Sequence, residues 1–275
     1  KNHAHDSISC CCTDQVHREI MARFELAHDK ADKLIDFYKR KIVDAVKDKE
    51  GMDKLTVFNL LPYERTEEVE TKIRLRGGNF TIYNKDGKEI PYYVKEKREL
   101  DPGLIDRQIV HYGNYDPFHE FLIQFSAENI PPMGYETFYI KYNTGNEGLK
   151  EIAEEKAFIE NKYYKIIVNS NGTINLSDKR LMKEYRELLI AEDGSDDGDE
   201  YDYSPLKDDF IITNKDVTAE IKFEHTPFAE TAYVSYEMDI PKDLESRKNK
   251  IKDSKMRIST EIKLRKNSDK VEIKT

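Results

Sequence analysis

The hydrophobic period of this chain changes once, at Gly51, and that change limits the fold more than any other feature. Before it, Val16, Ile20, Met21, Phe24, Ala27, Ala31, Leu34, Ile35, Tyr38, Ile42, Val43 and Val46 recur every three or four residues, with no Pro or Gly between Thr13 and Lys47. This spacing predicts a single long amphipathic helix, with Thr13 as its N-cap and Asp14 favouring the positive end of the helix dipole. A helix of that length with an apolar stripe packs against partner helices. No second helical pattern of comparable size follows, so its partners are expected outside this sequence.

After Asp48-Lys-Glu-Gly51 the period becomes two. Leu55–Leu61 reads as a strand stopped by Pro62, and Val69, Thr71, Ile73 and Leu75 alternate cleanly. Phe80 and Ile82 belong to a strand that Lys85-Asp-Gly-Lys88 turns into Ile90–Val94, because Asp-Gly between alternating runs favours a hairpin. Ile109 and His111, Glu120–Phe125 and Thr137–Tyr142 continue the pattern, and Pro131-Pro-Met-Gly134 makes a turn. Short strands at such regular spacing predict an antiparallel β-sandwich, and His111 and His119 are read as ordinary strand residues.

A linker over 143–155 leads to a second β-rich stretch. Tyr163–Val168 and Thr173–Leu176 flank an Asn171-Gly172 turn; Leu188–Ile190, Phe210–Ile212, Val217–Phe223, Ala232–Ile240, Met256–Leu264 and Val271–Ile273 supply further strands. Pro241–Ser254 is charged and reads as a loop. The fold class expected is mostly β with an N-terminal long α-helix: an antiparallel β-sandwich followed by part of a second, larger one. The corresponding division is 1–50, 51–146 and 147–275.

Charged residues make up 36% of the chain and the net charge is −9, which disfavours nonspecific nucleic-acid binding. No apolar run is long enough to span a membrane. The only cysteines, Cys10, Cys11 and Cys12, are contiguous, so they form no disulfide framework and suit a reducing, cytoplasmic compartment. Beginning at Lys1 without Met and stopping inside an alternating run, the chain reads as a piece of a longer protein.

Two constellations carry chemistry. The first, His3-Ala-His5-Asp6-Ser-Ile-Ser-Cys-Cys-Cys12-Thr13-Asp14, collects imidazoles, carboxylate and thiols in an expected non-helical lead-in to the long helix. His-x-His-Asp suits a metal, but zinc needs three or four ligands and three adjacent thiols cannot all converge on one ion. A polar loop with a satisfied histidine remains the alternative. The second is Glu192-Asp-Gly-Ser-Asp-Asp-Gly-Asp-Glu-Tyr201-Asp-Tyr203-Ser-Pro205. Its carboxylates are out of register with an EF-hand, which leaves a solvated acidic turn or, given the interleaved tyrosines, a ligand-stacking loop.

These motifs resemble glycoside hydrolase family 38, the α-mannosidases. The match lies in His5-Asp6-Ser-Ile before a Cys-rich turn and long helix, in Val57-Phe-Asn59-x-Leu-Pro62, in Glu160-Asn161-x-Tyr163 with Asn169-x-x-Gly172-x-Ile174, and in Tyr201-x-Tyr203-x-Pro205. The resemblance implies that His5 is one of four zinc ligands and that Asp6 and Tyr201 contact the bound sugar. It also implies that the long helix closes a helical bundle behind a catalytic barrel. The nucleophile, the acid/base carboxylate and the other zinc ligands would lie upstream, so no catalytic residue is expected here and the fragment by itself is expected to be inactive. The parent would hydrolyse terminal α-mannosides of oligosaccharides with retention, its zinc holding vicinal sugar hydroxyls. Its partners would be that substrate and the upstream barrel, with no nucleic acid or membrane, and a homodimer is compatible with it. Asp199-Glu200 departs from the small residues that the family carries before this tyrosine, which points to altered outer subsites. The rival is a noncatalytic carbohydrate-binding or scaffolding β-sandwich module, which would leave His5-Asp6 without a role.

Overall fold

A computed structural model describes residues 4–9, 11–100, 118–142, 144, 148–150, 156–199 and 201–275. His3, Cys10, the expected strand at Ile109 and His111, most of the 143–155 linker and Glu200 lie outside the described residues. The chain is mostly antiparallel β with a long N-terminal helix. It divides into two compact units: residues 1–47, 193–211 and 241–252 form one, and the remainder forms the other.

In the first unit, α1 (His5–Ile8) is one helical turn and α2 (Asp14–Ala45) is the long helix. The turn corrects the expectation of a non-helical lead-in. Local backbone bonds from Ile8 N to Ala4 O (3.2 Å), Ser9 N to His5 O (3.1 Å) and Cys11 N to Asp6 O (3.0 Å) close it, and no Pro or Gly interrupts them. Thr13 holds the N-cap position of α2 in extended geometry; its side chain makes no capping bond. Ile20 is buried, whereas Val16, Met21, Leu26, Leu34, Ile35, Phe37 and Tyr38 are exposed. Pro241–Ser254, read as a loop, contains α3 (Leu244–Lys248), because the Asp243 side chain caps it by accepting from Ser246 N at 2.8 Å.

The second unit holds two β assemblies. In the first, β1 (Asp53–Asn59), β7 (Gly134–Tyr142), β3 (Phe80–Tyr83) and β4 (Glu89–Ile90) form one sheet, in that order. The other sheet is β2 (Arg65–Leu75), β6 (Phe118–Ile130) and β5 (Tyr92–Leu100). Pro91, which cannot donate to a ladder, separates β4 from β5 where one strand was expected. The alternation places Ile73, Leu75, Phe80, Ile82, Tyr92, Phe121, Ile123, Phe125, Phe138 and Ile140 in a single core. Aromatic rings organise it: Phe80 stacks on Tyr92 at 4.5 Å, and Phe125 meets Phe138 edge-on at 5.0 Å. The buried Tyr92 hydroxyl donates to Phe80 O at 2.5 Å, and desolvation pushes its pKa up to about 12.

The second assembly has one sheet in the order β11 (Lys183–Leu188), β10 (Ile174–Asp178), β9 (Tyr164–Val168) and β8 (Ile159–Glu160). The other is β14 (Glu220–His225), β15 (Ala229–Ile240), β16 (Ser254–Arg265) and β17 (Glu272–Lys274). Strand pairs β12 (Glu192–Asp193) and β13 (Ile212–Thr213) are short. The strand expected at Leu188–Ile190 lies earlier, because Glu187 and Leu189 take positive φ and end the pairing. That expected at Val217–Phe223 starts only at Glu220, since a 3-10 turn occupies Asn214–Asp216. The two assemblies meet at Glu68: Asn267 N donates to its Oε1 at 3.2 Å, and the Arg265 guanidinium donates to its carbonyl. Lys95 pairs with Glu224 at 2.8 Å across the same contact. No helix among the described residues is long and apolar enough to cross a membrane.

Candidate functional site

The acidic loop begins where a buried asparagine fixes its stem. Asn214 is fully buried; its Oδ1 accepts from Ala191 N (3.1 Å), its own N donates to Ala191 O (3.3 Å), and its Nδ2 donates to Asn171 O (3.1 Å). Asn171 and Gly172 belong to the turn between β9 and β10, closed by Gly172 N to Asn169 O at 2.9 Å.

In the first unit the loop is a ladder of polar contacts. Ser195, also buried, donates its N–H to Asp209 Oδ2 at 2.7 Å and accepts from Leu206 N at 2.8 Å. Asp197 N donates to Ser204 O at 2.8 Å, and Asp196 Oδ1 accepts from Gly198 N and Ser204 N, each at 3.0 Å. Asp199 Oδ1 then accepts from Tyr201 N (2.9 Å) and Asp202 N (3.1 Å). Gly198 is required here, since a Cβ would collide with Asp202 O. The tip presents Tyr201 and Tyr203, 74% and 71% exposed, beside the exposed carboxylates of Asp196, Asp197, Asp199 and Asp202.

Arg247 of α3 anchors the base of this ladder. Only 6% of its side chain is exposed; it pairs with Asp193 and with Asp209 Oδ1 (3.3 Å) and donates to Phe210 O at 3.0 Å. Desolvation raises the Asp209 pKa, but hydrogen bonds from Ser195, Phe210 N and Arg247 outweigh it and hold the carboxyl at about 2. Sequence reasoning missed Arg247, Asp209 and Ser195. The one local signal was Asp243 three residues before Ser246, a cap that marks a helix start in an otherwise charged stretch.

His5 and Asp6 lie on α1, their side chains 93% and 67% exposed, with Nε2 to Oδ1 at 2.9 Å. They belong to the same compact unit as Tyr201. Cys11 and Cys12 are free thiols, whose Sγ atoms approach Ser9 O (3.9 Å) and Ser7 O (3.8 Å). Among the described residues no group of three or more His, Cys, Asp or Glu side chains gathers to hold a metal. One imidazole and one carboxylate do not fill a zinc coordination sphere, so these residues alone do not fit the ion. His119 lies on β6 with its ring stacked on Phe121 at 6.0 Å.

Residues 159–275 match the description "Glycosyl hydrolases family 38 C-terminal domain". That match covers somewhat less than half of the chain. The match includes the second β assembly, the Tyr201 ladder and Arg247. A Halalkalibacterium halodurans protein described as "Putative mannosylglycerate hydrolase" is 26% identical over 269 residues, covering 88% of this chain and 30% of the relative. Two solved structures from Enterococcus faecalis share the fold, each at 22% identity and covering 98% of this chain. One, "a Protein in the Glycosyl Hydrolase Family 38", has a TM-score of 0.77 over 37% of its own length; the other, "an alpha-mannosidase", has 0.75 over 35%. The chain thus spans about a third of each of these relatives, and the helix and both β assemblies occur together in the fold of the two solved structures.

Proposed function

We propose that this chain is the helix and β-domain portion of a zinc-dependent retaining α-mannosidase. The family 38 match over 159–275 carries the reading, joined to relatives whose fold spans nearly the whole chain. The pair of carboxylates that performs a retaining displacement belongs to another part of the protein. Each segment of the division at 1–50, 51–146 and 147–275 then has its own role. The helix supports the catalytic part, the first sandwich acts as a spacer, and the family 38 domain contributes Tyr201 to the sugar site. His5 supplies one zinc ligand, the others coming from outside this chain, and Asp6 contacts the sugar.

The substrate is a neutral α-mannoside. A mannosylated glycerate, suggested by the name of the Halalkalibacterium halodurans relative, carries a carboxylate. The exposed Asp196, Asp199 and Asp202 beside Tyr201 disfavour an anionic leaving group by like-charge repulsion. The test uses the full-length protein with an aryl α-mannoside and with mannosylglycerate, following the anomer first released by proton NMR. The expected result is release of the α-anomer, with the neutral substrate turned over more efficiently. Turnover of neither substrate overturns the reading, and a preference for mannosylglycerate overturns the substrate assignment.

A further inference from the structure

We infer that Arg247 is the positioning residue for Tyr201, acting as a clasp at the base of its loop. The inference rests on the proposed role of Tyr201 at the sugar. Three observations carry it. The guanidinium is almost wholly buried and bridges carboxylates from both arms of the loop, Asp193 on the outgoing arm and Asp209 on the returning one. The same group donates to Phe210 O at 3.0 Å and lies over the Phe210 ring, 5.5 Å from its centroid, which fixes its plane. Above the clasp, every described rung up to the tyrosine is a hydrogen bond to a small polar side chain or backbone group: Ser195 with Leu206 and Asp209, Asp196 with Ser204, Asp199 with Tyr201 N.

The physical consequence is directional. Without the cation, Asp193 and Asp209 face each other as like charges at the neck of the loop, and the arms separate. Ser195 then loses the fixed acceptor for its N–H, and the register that places the Asp199–Tyr201 turn is lost in sequence. Tyr201 keeps its hydroxyl but not its address, so the cost falls on the reaction rather than on the fold of the sheets.

Hydrogen exchange and kinetics on the full-length protein test this with Arg247→Met, Arg247→Lys and Asp209→Asn, each also combined with Tyr201→Phe. Arg247→Met should speed exchange of the Gly198, Tyr201, Asp202 and Ser204 amides on the order of tenfold or more, leaving β15 and β16 protected as before. kcat/KM should fall on the order of tenfold, with Arg247→Lys intermediate. In the Tyr201→Phe background Arg247→Met should cost little further, because the residue it positions is already silenced. Asp209→Asn should reproduce the exchange pattern with the arginine intact, which guards against misfolding of the arginine variants. Unchanged loop exchange in both Arg247→Met and Asp209→Asn overturns the clasp. Fully additive losses with Tyr201→Phe show that Arg247 does not act through Tyr201. Wild-type kinetics for Tyr201→Phe alone would remove the role of Tyr201 and with it that of its positioner, while the exchange data still report whether the clasp exists.

Discussion

At the scale of single residues, Gly172 and Tyr201 mark opposite uses of a constrained position. Gly172 takes φ +83, and a Cβ there would stand 2.8 Å from two ring carbons of Tyr236 and 3.2 Å from Val234 Cγ1. Backbone strain and overpacking therefore act together, and Gly172→Ala should lower unfolding stability by about 1–3 kcal/mol. Urea denaturation checks it, and an unchanged midpoint would show that the turn relaxes freely. Tyr201 is instead exposed at the ladder tip, and its proposed place at the sugar predicts that its loss is felt in catalysis. Tyr201→Phe in the full-length protein should reduce kcat/KM by about 0.5–1.5 kcal/mol, the worth of one neutral hydrogen bond, with zinc content and melting temperature unchanged.

At the scale of elements, the acidic loop behaves as a structure with its own pH limit. Asp209 has its pKa lowered from 3.8 to about 2, so it contributes fully above 3.8 and its contribution is lost as pH falls from there through about 2. Pepsin, active over this window, should cut the 193–209 segment slowly at pH 4 and readily at pH 2, relative to an unstructured peptide of the same sequence. Equal relative rates at both pH values would mean the carboxylate is not part of the clasp. The long helix and the alternating strands were legible in the sequence because their signals are local: one face every 3.6 residues, or every second residue. Gly51, Asp86-Gly87 and Asn171-Gly172 mark their boundaries for the same reason. Arg247 was not legible, because its partners lie 54 residues away at Asp193 and 38 away at Asp209. Read along the chain, each of these residues looks like one more solvated charge. The helix inside Pro241–Ser254 was hidden for another reason: five residues are too few to show a period.

At the scale of the whole molecule, the proposed function makes the chain a framework that holds parts of a site without completing it. The roles proposed for His5 and Asp6 rest on the family resemblance, because nothing in their spacing separates a ligand from a polar turn. Their high exposure fits either role. The 275-residue chain alone should not turn over an aryl α-mannoside, and calorimetry should detect no tight stoichiometric zinc. In the full-length protein, His5→Ala should reduce zinc content measured by elemental analysis. Tight zinc binding by the chain alone would point instead to a self-contained thiol site.

The joint at Glu68 also sets a schedule for biosynthesis. Arg265, which donates to the Glu68 carbonyl, follows it by 197 residues. At about 5–20 residues per second, β2 emerges from the ribosome roughly 10–40 s before its partner strand is made. The first sandwich therefore has time to fold with Glu68 still hydrated, and the contact closes as a late docking step. Arg265→Met should then leave the refolding rate unchanged but hasten unfolding, a change confined to one arm of the stopped-flow chevron.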